Sequence, residues 1–394
     1  MLAPVKVRPA EPIADVAPEN VRPAAPGADV ASTKRPENKP GKRQKKAAPR
    51  SGARTRAALA VGTIALSFSV SGCPCLESIV NPSPALQWWL FSNFGASRMC
   101  PEMMKAGVPL RLQDRSPAIG RFFPSQCSYA VDDNRRTVAI SFAGQGYGYM
   151  APAKRLGFSV SGSIELRPGI QLAGDKAYVF GHFNRIINGP TFQVGYIENP
   201  VIDIAANLPG VGSLANLFGN QVVAGELTRG FTVVNTDKGN DFALGILTPP
   251  QVPHHPFDTS ASERFTFANE TIEVHQNQRD YLGPFDIPEA GKTLFLSFSN
   301  QGPARDIMVI NRYTGDAWRD AYQRGMLGPP PGPVMAGGPL QANMSDSRKY
   351  SLPPGQYYVV VDNTAAAGLV SPPASIIPLA DAMARVSYVA QLGE

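Results

Sequence analysis

VAISF at 138–142 and FSVSGSIEL at 158–166 decide the fold. In the first, Val138, Ile140 and Phe142 alternate with small residues; in the second, Phe158, Val160, Ile164 and Leu166 alternate with Ser159, Ser161, Ser163 and Glu165. A period of two sends one set to a core face and the other to solvent, as in half-buried antiparallel strands. Further strands are expected at 177–183 (AYVFGHF), 191–198 (TFQVGYIE) and 242–247 (FALGIL). Between the last two, 211–227 (VGSLANLFGNQVVAGEL) sets Val211, Leu214, Phe218 and Val222 at helical spacing, so an amphipathic helix is expected to pack across a curved antiparallel sheet. Upstream, PALQWWLFSNF at 84–94 reads as a short helix with Trp or Phe on nearly every side, which calls for burial in a core, a ligand pocket or a membrane surface.

Composition agrees with a mainly β chain. Of 394 residues, 37 are Gly and 38 Pro while only 17% are charged, a supply that suits turns and strands better than helical bundles. The 43% of hydrophobic residues is enough for two or three cores. The net charge of +6 belongs to residues 1–56, which carry 13 Lys/Arg against 5 Asp/Glu; their +8 leaves −2 for residues 57–394. The argument for a nucleic-acid partner loses its main support.

A second β-rich region is expected at 261–394. Phe265/Phe267, Ile272/Val274, Leu294/Leu296/Phe298, Ile307/Val309, Tyr358/Val360 and Val386/Tyr388 supply alternating pairs, punctuated at Gly283-Pro284, Gly302-Pro303 and Pro353-Pro354-Gly355. Six to eight short strands so spaced suggest a sandwich or jelly roll. SLPPGQYYVVV at 351–361 resembles the penultimate hairpin of the accessory β-sandwich of some secreted peptidases. GPPPGPVMAGGPL at 328–340 reads as a long flexible loop. Between the two regions, the Pro-rich stretch 249–260 can form neither strand interior nor helix interior, and it predicts a hinge between separable domains, 73–248 and 261–394. His254 and His255 within it have no acidic or thiol neighbours at useful spacing and read as solvated linker residues.

The first 53 residues, basic and rich in Pro and Ala, cannot bury enough apolar surface to offset their ordering entropy, so disorder is expected. Arg54-Thr55-Arg56 then precedes an apolar run from Ala57 to Val70 and the small residues Ser71-Gly72 before Cys73. That run is too short to span a bilayer, which takes about 20 residues, and has the length of a secretory signal core. Val70-Ser71-Gly72-Cys73 resembles the lipobox of bacterial lipoproteins. The resemblance implies a signal peptide at 54–72, cleavage before Cys73, attachment of palmitate-type acyl chains there, and a lipid-anchored protein of the cell envelope. Pro74 in place of Asp after Cys73 implies the outer membrane by the enterobacterial sorting rule, facing periplasm or cell surface. In an oxidising compartment Cys100 and Cys127 can close a disulfide loop of roughly 3–4 kcal/mol, although spacing also allows Cys75 with either.

The order of anchored Cys, early apolar helix, antiparallel strands, late amphipathic helix and last strand, over residues 85–248, resembles the small TULIP-like lipid-binding lipoproteins. There a highly curved sheet wraps a helix around an apolar groove. The resemblance implies a groove lined here by Leu214, Phe218 and Val222 from the helix and by Phe158 and Val160 from the sheet; a helix-covered solid core would produce the same pattern.

Motifs for chemistry are lacking. GQGYGY at 144–149 has β-patterned sequence on both sides rather than a strand before and a helix after, so it reads as a hairpin or bulge, not a phosphate loop. Asp306, Asp316, Asp320 and Asp362 form no calcium loop or acid–base pair and read as solvated turn residues, with Trp318 among them as a partly buried rim residue. No metal, cofactor or enzyme activity is called for. The expected function is binding of a hydrophobic ligand, a lipid above all, by the first domain of a membrane-anchored envelope lipoprotein. The alternative is a structural or adhesive lipoprotein whose β-domains bind envelope proteins or glycans.

Overall fold

The computed structural model describes residues 74–113, 115–151, 153–201, 225–236, 238–372 and 382–394, without the side chains of 74, 75, 226 and 227. The leader, Cys73 and most of the expected helix at 211–227 lie outside the described residues. The chain is mainly β, with a curled antiparallel sheet in its first half and two further antiparallel sheets in its second.

The curled sheet is a meander of seven strands paired in chain order: β1 (Val108–Leu110), β2 (Gly120–Asp132), β3 (Thr137–Met150), β4 (Lys154–Ala173), β5 (Lys176–Ile197), β6 (Phe231–Thr236) and β7 (Gly239–Leu244). The stretches expected as separate strands at 177–183 and 191–198 are two halves of β5, 22 residues long. Strands of that length stay in one sheet only if they bend. Register shifts between Gly157 and Phe158, between Ser161 and Ile164, and between Glu165 and Leu166 provide the bends in β4. The inward half of the alternation read from sequence holds, since Val138, Ile140, Phe142, Phe158, Val160, Ile164 and Leu166 are all buried on the inner face; the outward half is corrected at Ser163 and Glu165, which are covered as well, Glu165 by Asn184 and Arg185 of β5. GQGYGY is not a hairpin but part of the second half of β3, and the bulge beside it belongs to β2, between Pro124 and Gln126 opposite Gly144 and Ala143. A Cβ on Gly146 would stand 2.4 Å from the Phe158 ring and one on Gly144 2.7 Å from Phe122, so these positions leave room for aromatic rings of the neighbouring strands.

Helices α1 (Pro74–Val80), α2 (Pro84–Leu90) and α3 (Ala96–Met103), with a π-helical turn at Phe91–Gly95, cover the inner face. Ser83 caps α2, its Oγ accepting from the Leu86 N–H at 3.3 Å, and Pro84 occupies the first turn where no N–H is needed. Phe91 is fully buried against the sheet. A disulfide joins Cys100 on α3 to Cys127 on β2, with Cα atoms 5.3 Å apart. A four-residue turn, α4 (Gly225–Thr228), precedes β6.

The second half is a sandwich of two four-stranded sheets. One has the order β13 (Ser345–Ser351), β10 (Thr293–Gln301), β15 (Ala384–Gly393), β8 (Phe265–Val274); the other β12 (Ala336–Leu340), β11 (Arg305–Asn311), β14 (Gly355–Asn363), β9 (Gln278–Ile287). Ile272, Leu294, Leu296, Ile307, Val359 and Val386 meet between them. Two expectations are corrected. The turn after Ser351 carries the chain from one sheet to the other rather than closing a hairpin, because β13 pairs β10 while β14 pairs β11 and β9. The segment 328–340 is not wholly a loop: its last five residues form β12 against β11.

Helix α5 (Arg312–Gln323) sits on the outer face of the second sheet, capped by Asn311 Oδ1 accepting from the Thr314 N–H at 2.9 Å. Thr314, Trp318 and Tyr322, one turn apart, make its buried face. Trp318 is therefore a core residue, not a rim aromatic; its Nε1 donates to the Gly328 carbonyl at 2.9 Å. This face forms one cluster with Tyr281 and Tyr358 of the sandwich and with Phe123 and Tyr147 of the curled sheet. The expectation that few contacts join the two halves is thus corrected. Aromatic rings interleave across the junction, the Tyr147 hydroxyl donates to Asp280 at 2.7 Å, and Ala118 exchanges backbone hydrogen bonds with Thr271 and Glu273. All described residues fall in one compact unit.

Candidate functional site

A cavity of about 1640 Å³ opens between the curled sheet and the helices that cover it. Small-molecule sites commonly enclose about 300–1,000 Å³, so this space is large enough for an extended apolar molecule. The helices contribute Val80, Leu90, Phe91 and Met99, and the sheet contributes Phe142, Ile164, Leu166 and Val179. The inward set of alternate residues on β3 and β4 makes this wall apolar because each contributes only its even-numbered side chains.

The sheet residues expected in a groove divide. Phe158 and Val160 are buried on the inner face but do not border the cavity: β4 outruns it, and at that end Phe192 packs on Phe158 with ring centres 5.1 Å apart. Ile164 and Leu166, on the far side of the β4 register shifts, do border it. Leu214, Phe218 and Val222 lie outside the described residues.

One pole of the cavity is polar. Arg111, Arg121, Glu270 and Tyr388 line it and satisfy one another. Glu270 accepts from Arg121 Nη2 at 2.6 Å, from Arg111 Nη2 at 2.8 Å and from the Tyr388 hydroxyl, while Arg121 Nε donates to Asp280 at 2.8 Å. Burial alone would raise the Glu270 pKa; the two guanidinium groups outweigh it and hold it down at about 2. The pole is therefore a network of paired charges centred on Glu270.

The Pro-rich stretch 249–260 is the other wall that sequence reasoning missed. Gln251, Val252 and His255 border the cavity, so the stretch is a strap across it rather than a hinge in solvent. His255 Nδ1 lies 3.0 Å from the Asn269 carbonyl on β8, and its Nε2 lies 3.2 Å from Asp241 on β7. Nδ1 is within hydrogen-bond reach of the carbonyl, while Nε2 stands at ion-pair distance from the carboxylate without hydrogen-bond geometry, so the carboxylate acts on the ring through its charge. Burial disfavours the protonated ring, but Asp241 outweighs burial and raises the His255 pKa. Asn269 adds a second clamp, its side chain accepting from Phe257 N–H at 3.2 Å and donating to Phe257 O at 2.7 Å. No sequence signal marks the His255–Asp241 pair; only the exclusion of helix and strand by Pro marks the strap.

The scattered carboxylates have structural partners. Asp306 is buried and accepts from the Leu369 and Val370 N–H groups at 2.8 and 2.7 Å; Asp362 is buried against Arg279 and Thr364. Asp316 accepts from the Tyr358 hydroxyl at 2.8 Å, and Asp320 pairs with Arg324 at 2.6 Å. Asp306 and Asp362 are thus core residues rather than solvated turn residues. Among the described residues no three His, Cys, Asp or Glu side chains stand together as a metal site, and no helix is long and apolar enough to cross a membrane. No protein-family model matches the chain, and no curated protein matches it.

Proposed function

We propose that this protein binds a hydrophobic ligand, a lipid or other acyl-chain amphiphile, inside the curled sheet, and that it does so as an envelope lipoprotein anchored to the outer membrane through Cys73. The observation that carries the reading is the cavity, about 1640 Å³ walled by aliphatic and aromatic side chains. A solid core would fill such space, because protein interiors pack to the density of organic crystals and each void forfeits dispersion contacts. Apolar burial yields about 25 cal/mol per Å² of ligand surface removed from water, so chain length rather than a specific polar contact sets affinity. The pairing of Glu270 with Arg111, Arg121 and Tyr388 fits a binding role, because a carboxylate held ionised between two guanidinium groups is a poor general acid or base. The sandwich, fused to the sheet through α5, serves as a rigid platform for envelope partners.

Native mass spectrometry of the protein extracted from its own membranes tests the reading. The expected spectrum carries a second mass of lipid size besides any covalent anchor, and a fluorescent fatty acid titrates the delipidated protein to saturation. A bare protein mass together with no saturable uptake would leave the structural or adhesive role instead.

A further inference from the structure

The helices that roof the cavity expose an apolar face that the ligand reading does not use. Leu76 and Ile79, one turn apart on α1, are 39% and 57% exposed; Trp89 and Phe94, in ring contact at 5.7 Å, are 52% and 42% exposed. Trp89 and Phe94 touch, and α1, which carries Leu76 and Ile79, packs on α2, so these exposed side chains lie on adjoining helices rather than as scattered singles, and such clustering implies a partner. From Pro74 to Ser97 the chain holds one charged residue, Glu77, and its carboxylate is turned back to the sheet, accepting from the Gly174 N–H at 3.2 Å. The first basic residues, Arg98 and Lys105, come on and just after α3, with Glu102 between them 3.7 Å from Lys105, a net of one positive charge. An apolar face carrying Trp, followed by cations, has the composition of a helix that lies in a bilayer interface.

The course of the chain identifies the occupant. The apolar run Ala57–Val70 and Cys73 immediately precede α1. Whether the bilayer is reached through acyl chains on Cys73 or through the apolar run itself, Leu76 and Ile79 follow within three and six residues, which at 1.5 Å rise per residue is about 5 and 9 Å along a helix axis. A second copy of the chain would have to reach this face by contacts of its own, whereas the tether holds the bilayer beside it.

We infer that the face formed by Leu76, Ile79, Trp89 and Phe94 rests in the bilayer interface, with the cavity mouth turned toward the lipid. Leu76 and Phe94 carry the second clause, since both are exposed and both border the cavity. A ligand then passes between bilayer and cavity along apolar side chains without crossing water. This clause rests on the ligand reading; the seating of the face does not.

Depth-dependent quenching tests the seating with the full chain in vesicles of phosphatidylethanolamine and phosphatidylglycerol, whatever holds it there. The chain has three Trp: Trp318 is buried in the fold, Trp88 donates to Asp133 at 3.0 Å, and Trp89 is on the face. Lipids brominated near the top of the acyl chain should quench the wild type, and Trp89→Phe should lose more than half of that quenching while keeping the wild-type circular dichroism. Equal quenching of both proteins, or none of either, overturns the inference. Fluorescent fatty-acid titration of the same Trp89→Phe protein reads the cavity separately: loss of quenching with saturable uptake intact supports the seating and the ligand reading together. Loss of quenching in a chain that takes up no fatty acid supports the seating alone.

Discussion

Arg121 on β2 and Glu270 on β8 meet at 2.6 Å across the junction of curled sheet and sandwich, their side chains 3% and 11% exposed. The pair ties two elements 149 residues apart in the chain, at a point where the cavity ends and the shared core begins.

The pair makes stability depend on acid. The Glu270 pKa is about 2 in the fold against an ordinary 4.5, a depressed carboxylate, so its contribution is present above the unfolded value and is lost as pH falls through the folded one. On the order of 3 kcal/mol should disappear between about pH 4.5 and 2. Urea midpoints across this window in wild type and Glu270→Gln check it: the wild-type curve should fall more steeply, and parallel curves would sink the assignment.

Cutting the strap should not free the halves. Chymotrypsin-like cleavage after Phe257, within the strap, is expected to leave the fragments together on size exclusion, because Tyr147, Tyr281, Trp318 and Tyr322 interleave in one cluster. Urea unfolding of the intact chain should follow one transition for near-ultraviolet and far-ultraviolet signals. Two fragments that elute apart and stay folded would restore the hinge.

His255 should titrate above the ordinary 6.5, since Asp241 favours its charged form. A raised folded pKa gives a contribution fully present below 6.5 and lost as pH rises through the folded value, so the strap loosens on the alkaline side. Arg111 opposes the charge from the cavity wall, and the Asn269 carbonyl supports it. Imidazole proton resonances followed through the titration should show the His255 midpoint falling in Asp241→Asn; an unchanged midpoint would mean that the carboxylate does not hold the ring.

Ile170 on β4 borders the cavity and is only partly buried, which makes it a place to fill that space. Ile170→Trp should weaken fatty-acid binding at least tenfold while changing unfolding free energy by under about 1 kcal/mol, whereas the same insertion into a solid core costs roughly 1–3 kcal/mol. Thermal melts and the titration, run on one preparation, separate the two; a large loss of melting temperature would show a filled interior.

Cys73→Ser should abolish incorporation of a fatty-acid analogue in metabolic labelling, because a thiolate is needed to take the acyl-bearing group. Undiminished label on the mutant would remove the lipoprotein reading, and the envelope location with it.

Period-two alternation determined the strands at 138–142 and 158–166 and their inward residues, because a strand's side-chain faces follow from backbone geometry alone. It determined the strands of the sandwich for the same reason; spacing offered Cys100 with Cys127 but also Cys75 with either, and only the fold joins the first two. What alternation could not carry is how far a strand runs or what stands opposite it. That Ile164 and Leu166 border the cavity while Phe158 and Val160, on the same strand and face, do not depends on the β4 register shifts and on Phe192 arriving from β5. Trp318 reads as a surface aromatic in Asp316-Ala317-Trp318-Arg319-Asp320 because its neighbours are charged; only the folded chain brings Tyr281 and Tyr358 over it and lets those neighbours pair at the helix surface. The acid nearest His255 in sequence is Asp258, yet the ring meets Asp241, 14 residues away on β7. Local geometry repeats along a chain and is legible there; pairing between distant segments depends on register and closure, which the tertiary structure alone decides.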